Sequence, residues 1–579
     1  MTVVRNLAGS VGERVDRRNA HPRASGSKRV TKHARIASGD RQAQASAVLD
    51  SAHVGDIQGA FGTIRVGDEA PATGIKARLM TLLAIIGPGL IVMVGDNDAG
   101  AFGTYTQAGQ NYGTSMLWVL VLLIPVLFVN QEMVLRLGAV TGVGHARLIL
   151  ERFGKFWGAF SVIDLFILNA LTIVTEFIGI SLGLGYLGLP KVAGVLIAAI
   201  IIVAAASTGS FRRFERVCVT LVIGSLVLIP IFLMGHPPLR EIGRDLVVPR
   251  LPKGADLSAV VFLIIAIVGT TVAPWQLFFQ QSYIIDKRIT PRFIGYEKID
   301  LWIGIGVVII GATAMISFTA AAFAGRPEFG HFVDAAGVAQ GLGKYVGRAS
   351  GILFAIALID ASIIGAAAVG LSTSYALGDV LGLRHSLHRK PQEAKAFYGV
   401  FIAILLGSAT IVVIPGSPLG LLTVGVQVLA GVLLPSATVF LLLLCNDRHV
   451  LGPWVNGPRM NLFTSAVIAV LVILSLVLTS QVLFPGMSSG TIVRVLVGGG
   501  ILSVLTGAGY LLYRRVKHTP VVETVPRIER ASWRMPPLAL LAAPKLSIET
   551  RLGLLVLWIY LVIAMILVVV RVVQLALGH

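Results

Sequence analysis

The stretch Gly95-Asp96-Asn97-Asp98-Ala99-Gly100 places two carboxylates inside an apolar run that extends from about Met80 to Ala108. A charged side chain at membrane depth costs several kcal/mol unless it faces a cavity, a cation or a partner. The flanking glycines allow the backbone to leave the helical conformation. Unwound backbone inside a membrane persists only where protein buries it or where it lines a water-filled cavity. The stretch therefore predicts a broken helix that holds an ion or a solute.

The composition places this break in a membrane protein. The chain is 55% hydrophobic and only 13% charged, and its mean hydropathy is +0.82. Uncharged runs of about 18 residues or more recur along it, so we predict an all-α polytopic protein embedded in a lipid bilayer. The net charge of +19 lies mainly in the connections, which fits loops held against an anionic membrane surface. We predict no nucleic-acid partner, because no binding module accompanies the charge.

The apolar runs predict about 13 membrane spans. They cover 79–108, 115–139, 157–187, 191–208, 214–234, 258–284, 299–323, 349–380, 397–414, 419–445, 462–484, 491–513 and 552–576. Lys and Arg concentrate in alternate connections, and the positive-inside rule then places the N-terminus in the cytoplasm. The membrane would be the plasma (inner) membrane if the host is bacterial.

The same pattern divides the chain into five predicted parts. Residues 1–76 are polar and rich in Arg, Ser and Gly, which predicts a disordered basic cytoplasmic tail. The others are a transport core of spans 1–10 (79–445), peripheral spans 11 and 12 (462–513), a basic cytoplasmic linker (514–551) and a possible last span (552–576).

A second interruption lies in the sixth span, at Gly269-Thr270-Thr271-Val272-Ala273-Pro274-Trp275-Gln276. Pro274 removes a backbone donor and frees carbonyls near the middle of the membrane. The two breaks lie in the first span of each of two consecutive five-helix halves. Because each half has an odd number of helices, the two halves have opposite topology. Inverted repeats with paired discontinuous helices are typical of secondary transporters that bind substrate at the midplane. Kinks at close-packing glycines are the alternative, but they leave Asp96 and Asp98 unexplained.

Several stretches resemble the NRAMP family of divalent metal transporters, in the same order along the chain. They are Gly87-Pro-Gly through Trp118, Arg136 to Gly142, Thr175-Glu-Phe-Ile-Gly179, Phe211-Arg-Arg-Phe-Glu215, Gly269 to Gln276, and Val426 to Pro435. The resemblance covers roughly residues 80 to 455. It implies a LeuT-type fold, with the first ten spans as the transport core and the later spans as additions.

The chain departs from that family at the residues expected to hold the metal. Aligned with the family's Asp-Pro-Gly-Asn motif, Asp98 is kept and Ala101 replaces the asparagine; in the sixth span, Ala273 and Trp275 replace the methionine and histidine of Met-Pro-His. Without the soft thioether, oxygen donors remain, which suit hard ions such as Mg²⁺. The chain thus resembles the NRAMP-related magnesium branch most. The candidate metal-site residues are Asp98, Asp96, Asn97, Thr270, Ala273, Gln276 and, by the resemblance, Gln427.

The same departures weaken the case for proton coupling. In the family, the sixth-span histidine and third-span acidic residues are linked to proton movement, whereas Trp275 cannot titrate and Ile173 replaces an aspartate. Glu176 survives, either as a relay or gate or as a structural hydrogen-bonding residue. Asp360 is similarly a pathway residue or a buried packing contact, and Trp275 is a third candidate for the pathway or gate. We interpret His145, His385 and His388 as solvated loop residues.

We therefore predict a divalent cation transporter that takes up partly hydrated Mg²⁺ by alternating access without obligate proton coupling. The alternatives are a proton-coupled Mn²⁺/Fe²⁺ transporter and an amino-acid transporter of the same architecture; Asp96 and Asp98 argue against the latter, since a carboxylate substrate would avoid local anions. An enzyme is not expected, because the chain has neither a nucleotide loop nor an appended catalytic domain. We expect no cofactor, and a monomer is compatible with the sequence.

Overall fold

The computed structural model of the chain describes residues 47–68, 74–252, 254–413, 419–483, 488–516, 527–542 and 548–576. Helices dominate these ranges, and the strands there are two short segments, β1 (Ile57–Gln58) and β2 (Thr63–Ile64). The two strands pair antiparallel, with Ile57 opposite Ile64. Short 3₁₀ turns occur at Ser51–His53, Ser225–Val227, Pro291–Phe293, Gly452–Trp454 and Leu538–Leu540.

The first half of the core contains ten helices. They are α1 (Ile75–Ile85), α2 (Pro88–Gly95), α3 (Ala99–Tyr112), α4 (Leu117–Thr141), α5 (His145–Phe153), α6 (Lys155–Tyr186), α7 (Lys191–Ala206), α8 (Phe211–Gly224), α9 (Leu228–Gly235) and α10 (Leu239–Val247). α1 and α2 meet at a bend of 48°. Gly87 lies at this bend with φ of 150°, a conformation that favours glycine.

The second half and the C-terminal part contribute twelve helices. They are α11 (Leu257–Thr271), α12 (Pro274–Asp286), α13 (Ile294–Phe323), α14 (Ala335–Tyr345), α15 (Arg348–Leu381), α16 (Lys395–Val413), α17 (Leu419–Cys445), α18 (Arg448–Leu451), α19 (Pro458–Leu483), α20 (Ser489–Val516), α21 (Arg527–Ser532) and α22 (Ile548–Ala576).

Both predicted interruptions are present. Residues 96–98 separate α2 from α3, and residues 272–273 separate α11 from α12. Around them α6 packs on α15, α11 on α17, and α13 on both α2 and α3. The two broken helices therefore lie inside a bundle in which other helices shield their unwound backbone from lipid, as irregular backbone at membrane depth requires.

Each predicted span corresponds to one or more helices. Among the described residues, 10 helices are long and apolar enough to cross a membrane, or 11 if α1 and α2 form one bent span. The predicted fourth span corresponds to α7, which has 16 residues, fewer than the about 20 that cross a bilayer. The predicted last span lies in α22, a helix of 29 residues, and it stays a prediction.

The N-terminal segment differs from the predicted disordered tail. Residues 1–46 and 69–73 lie outside the described residues, whereas residues 47–68 fold against the bundle. The Asp50 carboxylate pairs with Arg389, and His53 Nε2 lies 2.9 Å from the carbonyl oxygen of His385. Arg288 donates to the Ala52 carbonyl. The partners lie far along the chain, so composition within 1–76 could not reveal them.

We expect the N-terminal segment 47–68 to loosen at alkaline pH. Burial lowers the pKa of His385, but the Asp379 carboxylate raises it to about 9 from an ordinary 6.5. A raised pKa means that the charged histidine stabilises the folded state below pH 6.5, and this contribution is lost as the pH rises through 9. A spin label at Phe61→Cys, an exposed position of the segment, should therefore become more mobile in that interval.

His385→Gln is the control for this transition. The variant should keep the backbone contacts of residue 385, including the amide that donates to Asp50 Oδ2, but lose the titration. A mobility transition of the same size in the variant would show that His385 does not cause it.

Candidate metal site

Asp98 begins α3 from within the first break. Its side chain accepts a hydrogen bond of 2.8 Å from the Ala101 amide, the usual arrangement of an aspartate at a helix N-cap. The preceding residues turn tightly, since the amides of Asp96 and Asn97 donate to the carbonyls of Met93 and Val94. The positive end of the α3 dipole thus stabilises a negative charge in the middle of the bundle.

The second break begins α12 at Pro274. α11 ends at Thr271, and the Val272 amide still donates to the Val268 carbonyl over 2.9 Å. Pro274 has no amide proton and occupies the first helical position, where its fixed φ fits. The Thr271 hydroxyl lies 2.7 Å from the Tyr105 hydroxyl of α3. A direct hydrogen bond therefore joins the two broken helices.

Further contacts bring the predicted site residues of the two breaks together. Gln276 Nε2 donates to Asp96 Oδ1, and Gln276 Oε1 accepts a bond of 2.7 Å from Gln131 Nε2 of α4. A Cβ atom at Gly95 would lie 3.4 Å from the Trp275 ring. The first break therefore faces the start of α12, as the repeat argument predicts.

Gln427 of α17 lies against the first turn of α3. A Cβ atom at Gly100 would be only 1.7 Å from Gln427 Nε2, so this glycine allows the amide to approach. Gly269 of α11 approaches α17 just as closely. A Cβ atom at Gly269 would lie 1.9 Å from the Gln427 carbonyl oxygen. Small residues at such crossings let membrane helices approach closely.

Gly100→Ala should displace the Gln427 amide and lower divalent metal uptake by about tenfold to a hundredfold, the usual range when a supporting contact of a metal site is lost. Gly95→Ala is the matched control, since its nearest neighbour would be 3.4 Å away. Initial rates in proteoliposomes measure both. Equal rates for the two variants would remove Gln427 from the site.

The site is buried and contains polar atoms without partners. The buried residues are Asp96, Asn97, Asp98, Glu176, Thr270, Ala273, Trp275, Gln276 and Gln427. Five side-chain atoms among them have no hydrogen-bond partner: Asp96 Oδ2, Asn97 Oδ1, Glu176 Oε1, Thr270 Oγ1 and Gln427 Nε2. None of the ion pairs among the described residues includes Asp96 or Asp98. Buried polar groups normally find partners, so the arrangement suits a cation and its water.

The predicted residues Glu176, Thr270 and Asp360 differ in how they are placed relative to the first break. Glu176 Oε2 accepts from the Ala99 amide over 3.2 Å, and its carboxyl group lies close to Asp98. Thr270 is buried, but no hydrogen bond among the described residues joins its hydroxyl to the first break. Asp360 lines a separate cavity beside Asn97.

The sequence analysis missed a polar residue that supports the site. Gln131 is the one missed here, and it donates a hydrogen bond to Gln276. The prediction that the loop histidines are solvated is wrong for His145 and His385, which are each about 1% exposed. The polar triplet Asn130-Gln131-Glu132 within an apolar span was the signal that could have identified Gln131.

Within the described ranges, no group of three or more His, Cys, Asp or Glu side chains could hold a metal ion. An ion between the breaks would therefore use carboxylate oxygens together with amide, hydroxyl and carbonyl oxygens. Such ligands suit the hard ions Mg²⁺, Ca²⁺ and Mn²⁺.

The chain matches one protein family over most of its helical core. Residues 89–481 match the Nramp family, described as natural resistance-associated macrophage protein-like. Divalent metal cation transporters named MntH are among its relatives. The Ralstonia nicotianae protein is 29% identical over 423 residues, which is 69% of this chain and 92% of the relative. The Burkholderia ambifaria protein is 28% identical over 437 residues, 72% and 92% of the two chains.

Solved structures show the same architecture. A manganese transporter of Eremococcus coleocola aligns with a TM-score of 0.59 at 20% identity, covering 78% of this chain and 98% of that one. Together, the fold and the paired breaks define a multi-pass membrane transporter of the LeuT type rather than an enzyme. The chain belongs to the Nramp family, and it is a divalent metal cation transporter.

Proposed function

We propose that this transporter takes up Mg²⁺ as a partly hydrated ion, bound between the two breaks. The observation that carries the proposal is the donor set. Asp98, Asp96, Asn97, Thr270, Gln276 and Gln427 offer carboxylate, amide and hydroxyl groups, and Ala273 stands where the family has a thioether. Mg²⁺ is usually held by one or two carboxylates and keeps several waters. Asp96 Oδ2 and Asn97 Oδ1 have no hydrogen-bond partner in the protein. They are therefore suited to accept hydrogen bonds from those waters.

Electrical driving force makes obligate proton coupling unnecessary. Moving two charges inward at about 100 mV is worth about 4.6 kcal/mol. Trp275 stands where the family has a titratable histidine, and its ring packs beside Gly95. We therefore propose facilitated uptake through the plasma membrane, with the N-terminus in the cytoplasm, and with Glu176 positioning the first break through the Ala99 amide.

The second candidate is a proton-coupled transporter of Mn²⁺ or Fe²⁺. The names of the relatives favour it over Mg²⁺, since the similar solved structure is a manganese transporter and the similar sequences are MntH proteins. Oxygen ligands also suit Mn²⁺. Glu176, beside Asp98, is the carboxyl group that could carry the proton in this mechanism.

Uptake into proteoliposomes separates the two candidates. Purified protein is reconstituted, a membrane potential is imposed, and Mg²⁺ and Mn²⁺ uptake are compared while an internal dye reports pH. Mg²⁺ uptake without acidification is the expected result. Mn²⁺ uptake with acidification and no Mg²⁺ flux would establish the second candidate and overturn the first.

Ala101→Asn combined with Ala273→Met should shift the preference toward Mn²⁺ by about tenfold or more, because a thioether favours softer transition metals. The two positions are buried beside the breaks, with 0% and 4% of their surface exposed. Competition between the two ions in the same vesicles gives the ratio, and each single variant serves as a control. An unchanged Mg²⁺ to Mn²⁺ ratio would contradict this account of selectivity.

A further inference from the structure

A cavity of about 930 Å³ lies where α1 and α13 begin. Residues from Arg78 to Ala84 of α1 line one side of it, and residues from Pro291 to Ile299 line a second side. Trp454 and Arg530 from the C-terminal part of the chain line a third side. The described lining includes no residue of either break, and the volume falls in the range of small-molecule sites, about 300–1,000 Å³.

The cavity lies at one end of the membrane-spanning helices. The stretch Pro291–Phe323 forms an apolar span of 33 residues. A helix of this length measures about 50 Å, whereas the hydrocarbon core of a bilayer measures about 30 Å, so the ends of the span reach the lipid headgroups. The cavity borders the first turns of this span. On the topology proposed above, these turns lie in the cytoplasmic leaflet.

The lining carries an excess of positive charge. Its basic side chains are Arg78, Arg292, Lys298 and Arg530, and Asp68 is the one acidic residue in the described lining. Lys298 pairs with Glu132 over 2.9 Å, and Arg292 donates to the Asp68 carbonyl over 2.6 Å. Arg78 and Arg530 belong to none of the ion pairs that the described part of the chain forms. This charge distribution suits an anion.

The Arg530 side chain is held in place and lacks a partner. Its guanidinium carbon lies 4.1 Å from the centroid of the Trp454 ring, and the Trp454 indole donates to the Arg530 carbonyl over 2.8 Å. Arg530 Nε is buried without a hydrogen-bond partner. Burial and the nearby Arg136 guanidinium lower the pKa of Arg530. A planar guanidinium fits two oxygens of a phosphate at once, so a phosphate would supply the missing partner.

Apolar side chains adjoin these charges. Met80 and Ile299 line the cavity and are 53% and 47% exposed. Trp302, one turn further along α13, is about half exposed, and tryptophans are enriched at the level of the headgroups. A soluble phosphate would leave this apolar surface in contact with water, whereas the acyl chains of a lipid would cover it. The surface therefore favours a lipid over a soluble anion.

We propose that this cavity binds the phosphate headgroup of an anionic phospholipid, with Arg78 and Arg530 as charged contacts and with Met80 and Ile299 against the acyl chains. Basic pockets between membrane helices are known to bind such headgroups. The lipid joins α1, α13 and α21, and it stabilises the folded protein because it binds that state alone. The choice of leaflet rests on the proposed topology, whereas binding does not depend on which ion is transported.

Lipid binding to the purified full-length protein in a neutral detergent tests the site. The probes are dioleoyl phosphatidylglycerol and dioleoyl phosphatidylcholine, which share their acyl chains and differ in net charge. Native mass spectrometry should show one tightly bound phosphatidylglycerol, with an affinity about twentyfold higher than that of phosphatidylcholine, the expectation for two arginines at about fivefold each. The melting temperature should rise with phosphatidylglycerol and stay unchanged with inorganic phosphate.

Single variants assign the binding to the cavity. Arg78→Gln and Arg530→Gln should each weaken phosphatidylglycerol binding about fivefold and leave phosphatidylcholine binding unchanged. Arg213→Gln is the matched control, because Arg213 is exposed but does not line the cavity. Its neighbour Arg212 donates to the carbonyl of Gly62, which does line it. Melting temperatures without lipid check the fold, and Arg78, which is exposed, still tests the site if Arg530→Gln does not fold.

Three results would overturn the proposal. Equal affinity for the two lipids would mean that the acyl chains alone cause binding. An equal loss in Arg213→Gln would mean that overall surface charge causes it. A melting temperature that inorganic phosphate raises as much as phosphatidylglycerol does would assign the cavity to a soluble anion. If the protein binds phosphatidylglycerol as expected but transports no divalent metal, the proposed function fails while the lipid site stands.

Discussion

Asp98→Asn is expected to lower divalent metal uptake by about a hundredfold or more while leaving the fold intact. Asparagine caps a helix about as well as aspartate, so the bond to the Ala101 amide, 2.8 Å in the wild type, can persist. The variant therefore removes the charge without removing the cap. An attraction of about 4 kcal/mol between unit charges 4 Å apart, at an effective dielectric constant of about 20, corresponds to roughly a thousandfold in affinity.

Two measurements separate the loss of charge from misfolding. Melting temperature in detergent should change little for Asp98→Asn and should fall for Asp98→Ala, which also loses the cap. Asp96→Asn should weaken uptake less, because Asp96 already accepts a hydrogen bond from Gln276. Wild-type flux in Asp98→Asn would exclude Asp98 as the central ligand.

Lys287→Met should destabilise the protein by about 3–5 kcal/mol, the usual cost of breaking a buried ion pair by removing one partner. Lys287 and Glu215 are both fully buried and lie 2.6 Å apart. The ammonium group also donates to the carbonyls of Ile85 and Ile86, over 2.5 and 2.9 Å. These carbonyls lie at the bend between α1 and α2. The variant would therefore also remove the contact that fixes this bend.

Lys298→Met is the matched control. Lys298 pairs with Glu132 over 2.9 Å, but its side chain is 39% exposed, and pairs with such access to water contribute about 1 kcal/mol or less. Thermal unfolding of both variants in the same detergent gives the difference. The double variant Lys287→Met with Glu215→Gln should recover part of the loss, because it no longer buries an unpaired charge. Equal destabilisation by the two lysine variants would contradict the assignment.

The sequence predicted the two breaks well because their signals are local. Pro274 lacks an amide proton, and the glycines around Asp96 and Asp98 permit unwinding wherever the chain lies. The LeuT-type fold with discontinuous first and sixth spans is confirmed. The identity of the transported ion stays a prediction, because the sequence lists donor atoms but not how far they close around an ion.

Long-range contacts explain where the sequence analysis failed. Residues 47–68 resemble a polar tail in composition, yet Asp50 and His53 bind partners more than 300 residues away. His385 lies in a basic connection, yet Asp379 and His53 bury it. Burial depends on what packs against a residue, and a stretch of sequence read alone does not contain that information.

The sequence by itself determined that this chain is a helical membrane protein, and it located the two breaks, because hydropathy and helix interruption are properties of consecutive residues. Only the tertiary structure decided which side chains meet there. It brought Gln276 to Asp96, Gln427 to Gly100, and Asp360 to the cavity beside Asn97. Helix packing sets such pairings, and it depends on surfaces that the linear order of residues does not place side by side.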